Sequence, residues 1–137
     1  MHGIDLDPIC VALTRIRLAA LWLDTAGLAD RPEQAATLTI NVACADSLLH
    51  GPDSDGNLPG PDHRCDSPDC EPALEILGRR YAAGVANPPY IAAPGHLRDA
   101  YARRYRSCHG RYSLSVPFAE LCFLLAVPAG SRRTASP

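Results

Sequence analysis

A chain of 137 residues falls within the usual size of one domain, and 47% apolar with 20% charged residues is an ordinary globular balance. A formal charge of −2 excludes a nucleic-acid binder that relies on bulk basicity, while leaving room for a local basic patch. No run approaches the ~18 uninterrupted apolar residues of a membrane span and no secretory leader opens the chain, so a cytoplasmic protein without a membrane partner is expected.

The first residues, Met1-His2-Gly3-Ile4-Asp5, read as the end of a buried strand leading into Leu6-Asp7-Pro8. Asp7 suits an N-cap, and Pro8 suits a first helical turn, where its missing N–H costs nothing. The spacing of Ile9, Leu13, Ile16, Ala20 and Leu23 predicts a helix to about Leu23. Leu18, Leu21 and Trp22 widen its apolar stripe, so heavy burial is expected. After a polar connection from Asp24 to Ala36, Leu38–Val42 is β-branched enough for a strand that ends near Asp46.

Residues 50–72 change character, with eight Gly or Pro, six acids and Leu58 as the only aliphatic side chain. Such a stretch cannot bury a core, and predicts a surface loop or disordered insert that the fold can spare. Order resumes at Ala73–Arg80, and Tyr81–Ala86 reads as a short buried strand stopped by Asn87-Pro88-Pro89-Tyr90. A polar helix is expected over about His96–Arg106, an apolar one over about Pro117–Val127, and a frayed tail beyond. Four segments follow: 1–49, the insert 50–72, then 73–130 and the tail 131–137. Alternating strands and helices favour an α/β fold, an open and mostly parallel sheet with flanking helices.

Of the six cysteines, Cys10, Cys44 and Cys122 lie in apolar runs, where the thiol behaves as a small hydrophobe, and all six are expected reduced. His63, Cys65, Cys70, Cys108 and His109 are zinc-ligand types. A tetrahedral site needs four converging ligands, however, and the second pair lies far from the first in sequence, so no metal is expected.

In open parallel sheets, ligands bind at the carboxyl ends of the strands, which here carry Asp5, Asp46 and Asn87–Tyr90. An acid in Asp5's position can accept from ribose hydroxyls, or can simply cap a turn. A carboxylate at Asp46 can accept from an exocyclic amine, or can end a strand. In Asn87-Pro88-Pro89-Tyr90 the prolines fix the backbone, so that the Asn87 side-chain oxygen and the Pro88 carbonyl point in set directions. Two such acceptors suit one exocyclic amino group, and Tyr90 offers a face on which a planar base stacks. That arrangement enriches a poorly nucleophilic amine and aims it at an electrophilic methyl group.

Asn-Pro-Pro-Tyr after an apolar strand resembles the catalytic motif of class I S-adenosylmethionine-dependent methyltransferases that modify amino groups, chiefly adenine-specific DNA methyltransferases. Residues Tyr101 to Phe118 are similar to a stretch in the PglX methyltransferases of BREX phage-defence systems, and the likeness covers most of 3–127 outside the insert. The resemblance implies a Rossmann-like domain in which Asp5 binds the cofactor ribose, Leu6 packs on its adenine and Asp46 accepts from the adenine amine. It makes 1–49 the cofactor-adenosine half and 73–130 the catalytic half, with Asn87, Pro88, Pro89 and Tyr90 holding and stacking a flipped adenine of double-stranded DNA. The implied cofactor is S-adenosyl-L-methionine, and other phage-defence subunits are implied partners. One departure matters: a ribose-binding acid follows its glycine-rich loop by ~20 residues, whereas only four residues precede Asp5. The chain thus resembles the middle of a methyltransferase domain and is expected to be inactive alone.

Arg98, Arg103, Arg104, Arg106 and Arg111, interleaved with Tyr101, Tyr105 and Tyr112, form a basic stretch. Its arginines can pair with phosphate and its tyrosines can stack; alternatively it is a solvated helix face with tyrosines turned inward. Arg103, Arg104, Arg106 and Arg111 are the candidate DNA contacts. Two other readings stand beside this one. A protein-glutamine methyltransferase uses the same motif on a side-chain amide, and a non-catalytic remnant would act only as a binding module.

Overall fold

The computed structural model describes residues 1–60 and 62–128, so the expected tail at 131–137 lies outside the described residues. It is a mixed α/β structure around a two-stranded parallel sheet, β1 (His2–Asp5) paired with β2 (Asn41–Cys44). The register sets Gly3 against Val42 and Asp5 against Cys44, so both strands end on the same side of the molecule. The crossover between them is α1 (Pro8–Thr25), followed by a 3-10 turn at Pro32–Thr37. Asp7 caps α1 as the sequence predicts, its carboxylate accepting from the Ile9 amide at 2.8 Å, with Pro8 in the first turn.

Alternation along β2 distributes the core between two layers. Val42 and Cys44 pack with Val11 and Leu18 of α1, while Ala43 and Ala45 face Ala73 and Ile76 of α3 (Cys70–Leu77). A third cluster is helical. It joins Leu48 of α2 (Ser47–His50), Tyr101 of α4 (Gly95–Arg104) and Leu121 of α5 (Ser115–Leu125) around the fully buried Tyr105. Gly51 allows that closure: a Cβ there would stand 2.5 Å from the Ser47 carbonyl oxygen and 2.9 Å from Leu121.

Four expectations are corrected. The stripe on α1 is mostly exposed, with Ile9 at 68% and Ile16 at 65%, and Val11 is the buried residue of the helix. Two short strands offer one helix too little surface to cover so wide a stripe. The second strand begins at Asn41 rather than Leu38, because the ladder's first rung pairs Asn41 with His2 and no strand residue lies opposite residues 38–40. Residues 82–86 form no strand and are exposed; only Tyr81 makes a bridge, to Ala126. A segment of alanines and a glycine buries little apolar area against its ordering entropy, and it has no ladder beside it. Finally, Cys65 and Cys70 are joined in a disulfide, while Cys10, Cys44, Cys108 and Cys122 are free.

The acidic segment is tied to its surroundings by hydrogen bonds rather than by apolar burial. Asp69 accepts from the Cys44 amide at 2.9 Å and from Arg15 at 3.0 Å, and the Ser67 hydroxyl donates to the Cys44 carbonyl. These side chains occupy the outer edge of β2, a place where a further strand would pair. The segment thus has ties to the sheet edge that its composition does not report.

Farther on, the Arg106 amide donates to the Ser54 hydroxyl at 2.7 Å, and Glu120 accepts from the Ser107 amide at 2.9 Å and from Ser54. Burial pushes the Glu120 carboxyl up, but the hydrogen bonds from Ser107 and Ser54 outweigh it and hold the group below its ordinary value. A carboxylate so depressed stabilises the fold above its unfolded pKa, and that contribution is lost as pH falls through the folded one. We expect Glu120→Gln to cost about 1–2 kcal/mol at neutral pH, in the range of charge-assisted bonds. In urea denaturation the gap to wild type should close as pH drops below 4.5, the ordinary value of the group.

Candidate functional site

The parallel pairing brings Asp5 and Asp46 to neighbouring strand ends. Asp5 is exposed, and its carboxylate accepts from the Asp7 amide at 2.8 Å, which tightens the turn into α1. Its main-chain carbonyl accepts from the Ala45 amide at 3.0 Å, extending the ladder just past β2. Leu6 beside it is 68% exposed, an apolar side chain free to cover a flat ring.

Asp46 is half-buried and more heavily engaged. Its Oδ1 caps α2, accepting from the Leu48 amide at 2.9 Å and the Leu49 amide at 3.1 Å, and its Oδ2 accepts from the Tyr101 hydroxyl at 2.7 Å. Burial, followed by that bond to Asp46, pushes the Tyr101 phenol far up, so it stays a donor at any physiological pH. Two carboxylate oxygens provide about four lone-pair sites, so one remains for a further donor.

Asn87–Tyr90 stands apart from this pair. Asn87, Pro89 and Tyr90 are exposed, Tyr90 at 80%, and the segment leading to them is anchored at its start. There the Tyr81 amide donates to Leu125 at 2.8 Å, its hydroxyl donates to Ile76, and its ring stands 5.5 Å from that of His2. The structure thus joins the two acids, and does not bring the motif onto the sheet beside them.

In the basic stretch the tyrosines turn inward. Tyr101, Tyr105 and Tyr112 are buried, the last donating to the Arg98 carbonyl at 2.7 Å, so none offers a face to a base. Arg104 is partly buried and donates to the Gly51 carbonyl, and Arg106 pairs with Asp55 at the surface. Arg103 and Arg111 are exposed.

A cavity of about 170 Å³ lies at the opposite end of the strands, lined by His2, Asn41 and Arg15 among others, and an open groove of about 830 Å³ runs along α5. Neither is lined by Asp5, Asp46 or Asn87–Tyr90. Sequence reasoning missed His50. It is buried at the end of α2, with its Nδ1 2.6 Å from His63 Nε2, and burial followed by the neighbouring His63 lowers its pKa. The spacing of His50 and His63 to Cys65 and Cys70 was the available signal.

Comparison with known proteins bears on this arrangement. The chain is similar to the adenine-specific methyltransferase PglX of Streptomyces coelicolor, strain ATCC BAA-471 / A3(2) / M145, at 32% identity over 139 residues. That similarity supports a methyltransferase family. It covers 92% of this chain and 12% of PglX, so the chain spans about an eighth of that protein's length. No family model and no solved structure matches. Among the described residues no helix is long and apolar enough to cross a membrane. Methyltransferase similarity implies S-adenosylmethionine as cofactor in general, and the exposed Asp5–Leu6 pair has the chemistry to meet its ribose and adenine.

The Asp46–Tyr101 bond allows a direct test of the site's framework. Asp46→Ala removes a cap and leaves a buried hydroxyl without its partner, and should cost about 2–4 kcal/mol. Tyr101→Phe should cost about 1 kcal/mol. In a double-mutant cycle read by urea denaturation, the double variant should lose less than the sum.

Proposed function

We propose that this chain is the central part of a Rossmann-like methyltransferase domain that moves a methyl group from S-adenosylmethionine to the exocyclic amine of a flipped adenine in double-stranded DNA. The observation that carries the reading is the placement of Asp5 and Asp46 on adjacent parallel strand ends, in a chain that also contains Asn87-Pro88-Pro89-Tyr90 and is similar to PglX. Asp5 accepts from the cofactor ribose, Leu6 covers its adenine, and the free lone pair of Asp46 takes the adenine amine. Asn87 and Pro88 accept the two hydrogens of the target amine, Pro89 stiffens the turn, and Tyr90 stacks on the flipped base.

The chemistry needs no covalent intermediate. When bound, the cofactor would supply a sulfonium methyl group and leave as a neutral thioether. Asn87 and Pro88, held against the amine hydrogens, would stabilise the positive charge that the amine nitrogen gains more than they stabilise the neutral amine. The surplus proton would pass to solvent. Exposed Arg103 and Arg111 suit DNA phosphates. Arg104 and Arg106 would reach them only by giving up Gly51 and Asp55. A role in phage defence, beside other subunits of such a system, extends the same reading.

Two experiments bear on it. In a full-length protein carrying this segment, Asn87→Ala should abolish labelled-methyl transfer to adenine-containing DNA and leave cofactor affinity nearly unchanged, because the lost interaction strengthens only in the transition state. Wild-type turnover by that variant would sink the assignment. The 137-residue chain by itself should neither bind S-adenosylmethionine in the micromolar range by calorimetry nor turn over, since its sequence holds no glycine-rich loop to meet the methionine end.

A further inference from the structure

His63, His50, Cys65 and Cys70 form a continuous line of nitrogen and sulfur donors. His50 is buried, its Nδ1 stands 2.6 Å from His63 Nε2, its Nε2 stands 3.7 Å from Cys65 Sγ, and Cys65 is bonded to Cys70. All four side chains are of zinc-ligand type, and the Cys-x4-Cys spacing of 65 and 70 falls within the usual range for structural zinc sites. As they stand, no three or more His, Cys, Asp or Glu side chains among the described residues are placed to hold a metal ion.

We propose that reduction of the Cys65–Cys70 disulfide converts this line into a tetrahedral zinc site of two thiolates and two imidazoles. A dithiol reductant supplies two electrons and two protons to the sulfurs as their bond breaks, and leaves as its own disulfide. Zinc then displaces both thiol protons to solvent, forms two Zn–S bonds, and takes a lone pair from each neutral imidazole. Two thiolates balance the charge of the ion, so the half-buried complex is neutral. One ion takes only one nitrogen of His50. Its Nε2, on the sulfur side, lets Cys65 and Cys70 share the metal, and half-buried His63 moves within its loop to the fourth position.

The site has a structural consequence. His50 ends α2, whose cap is Asp46, and Cys70 begins α3, which packs beneath β2. An ion there would fasten the acidic loop between the two helices that flank the end of β2. Reduced and metal-free, the loop would keep only its hydrogen bonds.

The full chain should be reduced with a dithiol, freed of reductant without air, and titrated with zinc against a chromophoric chelator and separately with cobalt(II). We expect one equivalent of metal, visible cobalt bands of tetrahedral intensity, and a thiolate-to-cobalt charge-transfer band. The oxidised chain should take up none, and reoxidation should release the metal. Cys65→Ser with Cys70→Ser should abolish uptake, and His63→Ala should weaken it at least tenfold. Cys122→Ser, at an exposed and unrelated cysteine, should bind as wild type. His50→Ala is less suitable because the residue is buried; half-buried His63 keeps the test open. Absence of uptake by the reduced wild type overturns the proposal. So does binding that survives loss of both cysteines, or that is equal in the oxidised chain.

Discussion

Asp46 commits one carboxylate oxygen to the first amides of α2 and the other to the hydroxyl of Tyr101, and through these three bonds the sheet is joined to the helical cluster. On one side, β1 and β2 with α1 and α3 share an apolar layer built largely from alanine, valine and isoleucine. On the other, Leu48, Tyr105, Leu114 and Leu121 form a separate cluster around α2, α4 and α5. The chain first passes between them at β2–α2, before returning to the sheet at α3 and leaving it again for α4, and a mispositioned α2 would turn Leu48 out of its cluster. A carboxylate that caps the helix and holds a tyrosine from α4 fixes that direction. The residue proposed to meet the cofactor is therefore also a residue on which folding depends, so activity loss at Asp46 is informative only beside a stability measurement.

The same logic explains why the acidic segment is ordered without apolar content. Its side chains supply donors and acceptors to main-chain groups of the sheet edge and of the helical cluster: Asp69 and Ser67 at Cys44, Ser54 at Arg104 and Arg106. Each bond contributes only about 1 kcal/mol net, but an edge amide left without a partner costs more than that. A segment can thus matter to a fold by satisfying edges, and hydrophobicity alone does not report it.

Local signals were legible in the sequence. Asp7-Pro8 starts a helix because cap and first turn are set by adjacent residues, and Asp5 ends β1 and Asp46 caps α2 for similar reasons. What failed were inferences that need a neighbour. A stripe such as that of Ile9, Leu13 and Ile16 specifies an apolar face and not what covers it, and here a two-stranded sheet covers little. Tyr105 and Tyr112, interleaved with arginines, read equally well as a stacking surface or a core, and only contact with Leu48 and Arg98 decides for the core. Residues 82–86 have the composition of a weak strand whose pairing must come from elsewhere in space.

This division between local and non-local order also separates the parts of the candidate site. Asp5 and Asp46 are positioned by hydrogen bonds to amides two or three residues away and by one ladder, so their geometry persists with only two strands present. Asn87 has no such local device, because its prolines fix dihedral angles without fixing where the segment lies. For the target-amine acceptors to stand near a methyl donor held at Asp5 and Asp46, residues 82–86 must gain strand partners. The outer edge of β2 is occupied by Asp69, Ser67 and Arg15, whereas that of β1 carries no strand among the described residues. Tyr81 stands beside His2 at the start of β1, so the segment leading to Asn87 begins close to that edge. On the proposed reading, the cofactor half of the site is built into these residues, while the catalytic half depends on extending the sheet across that open edge.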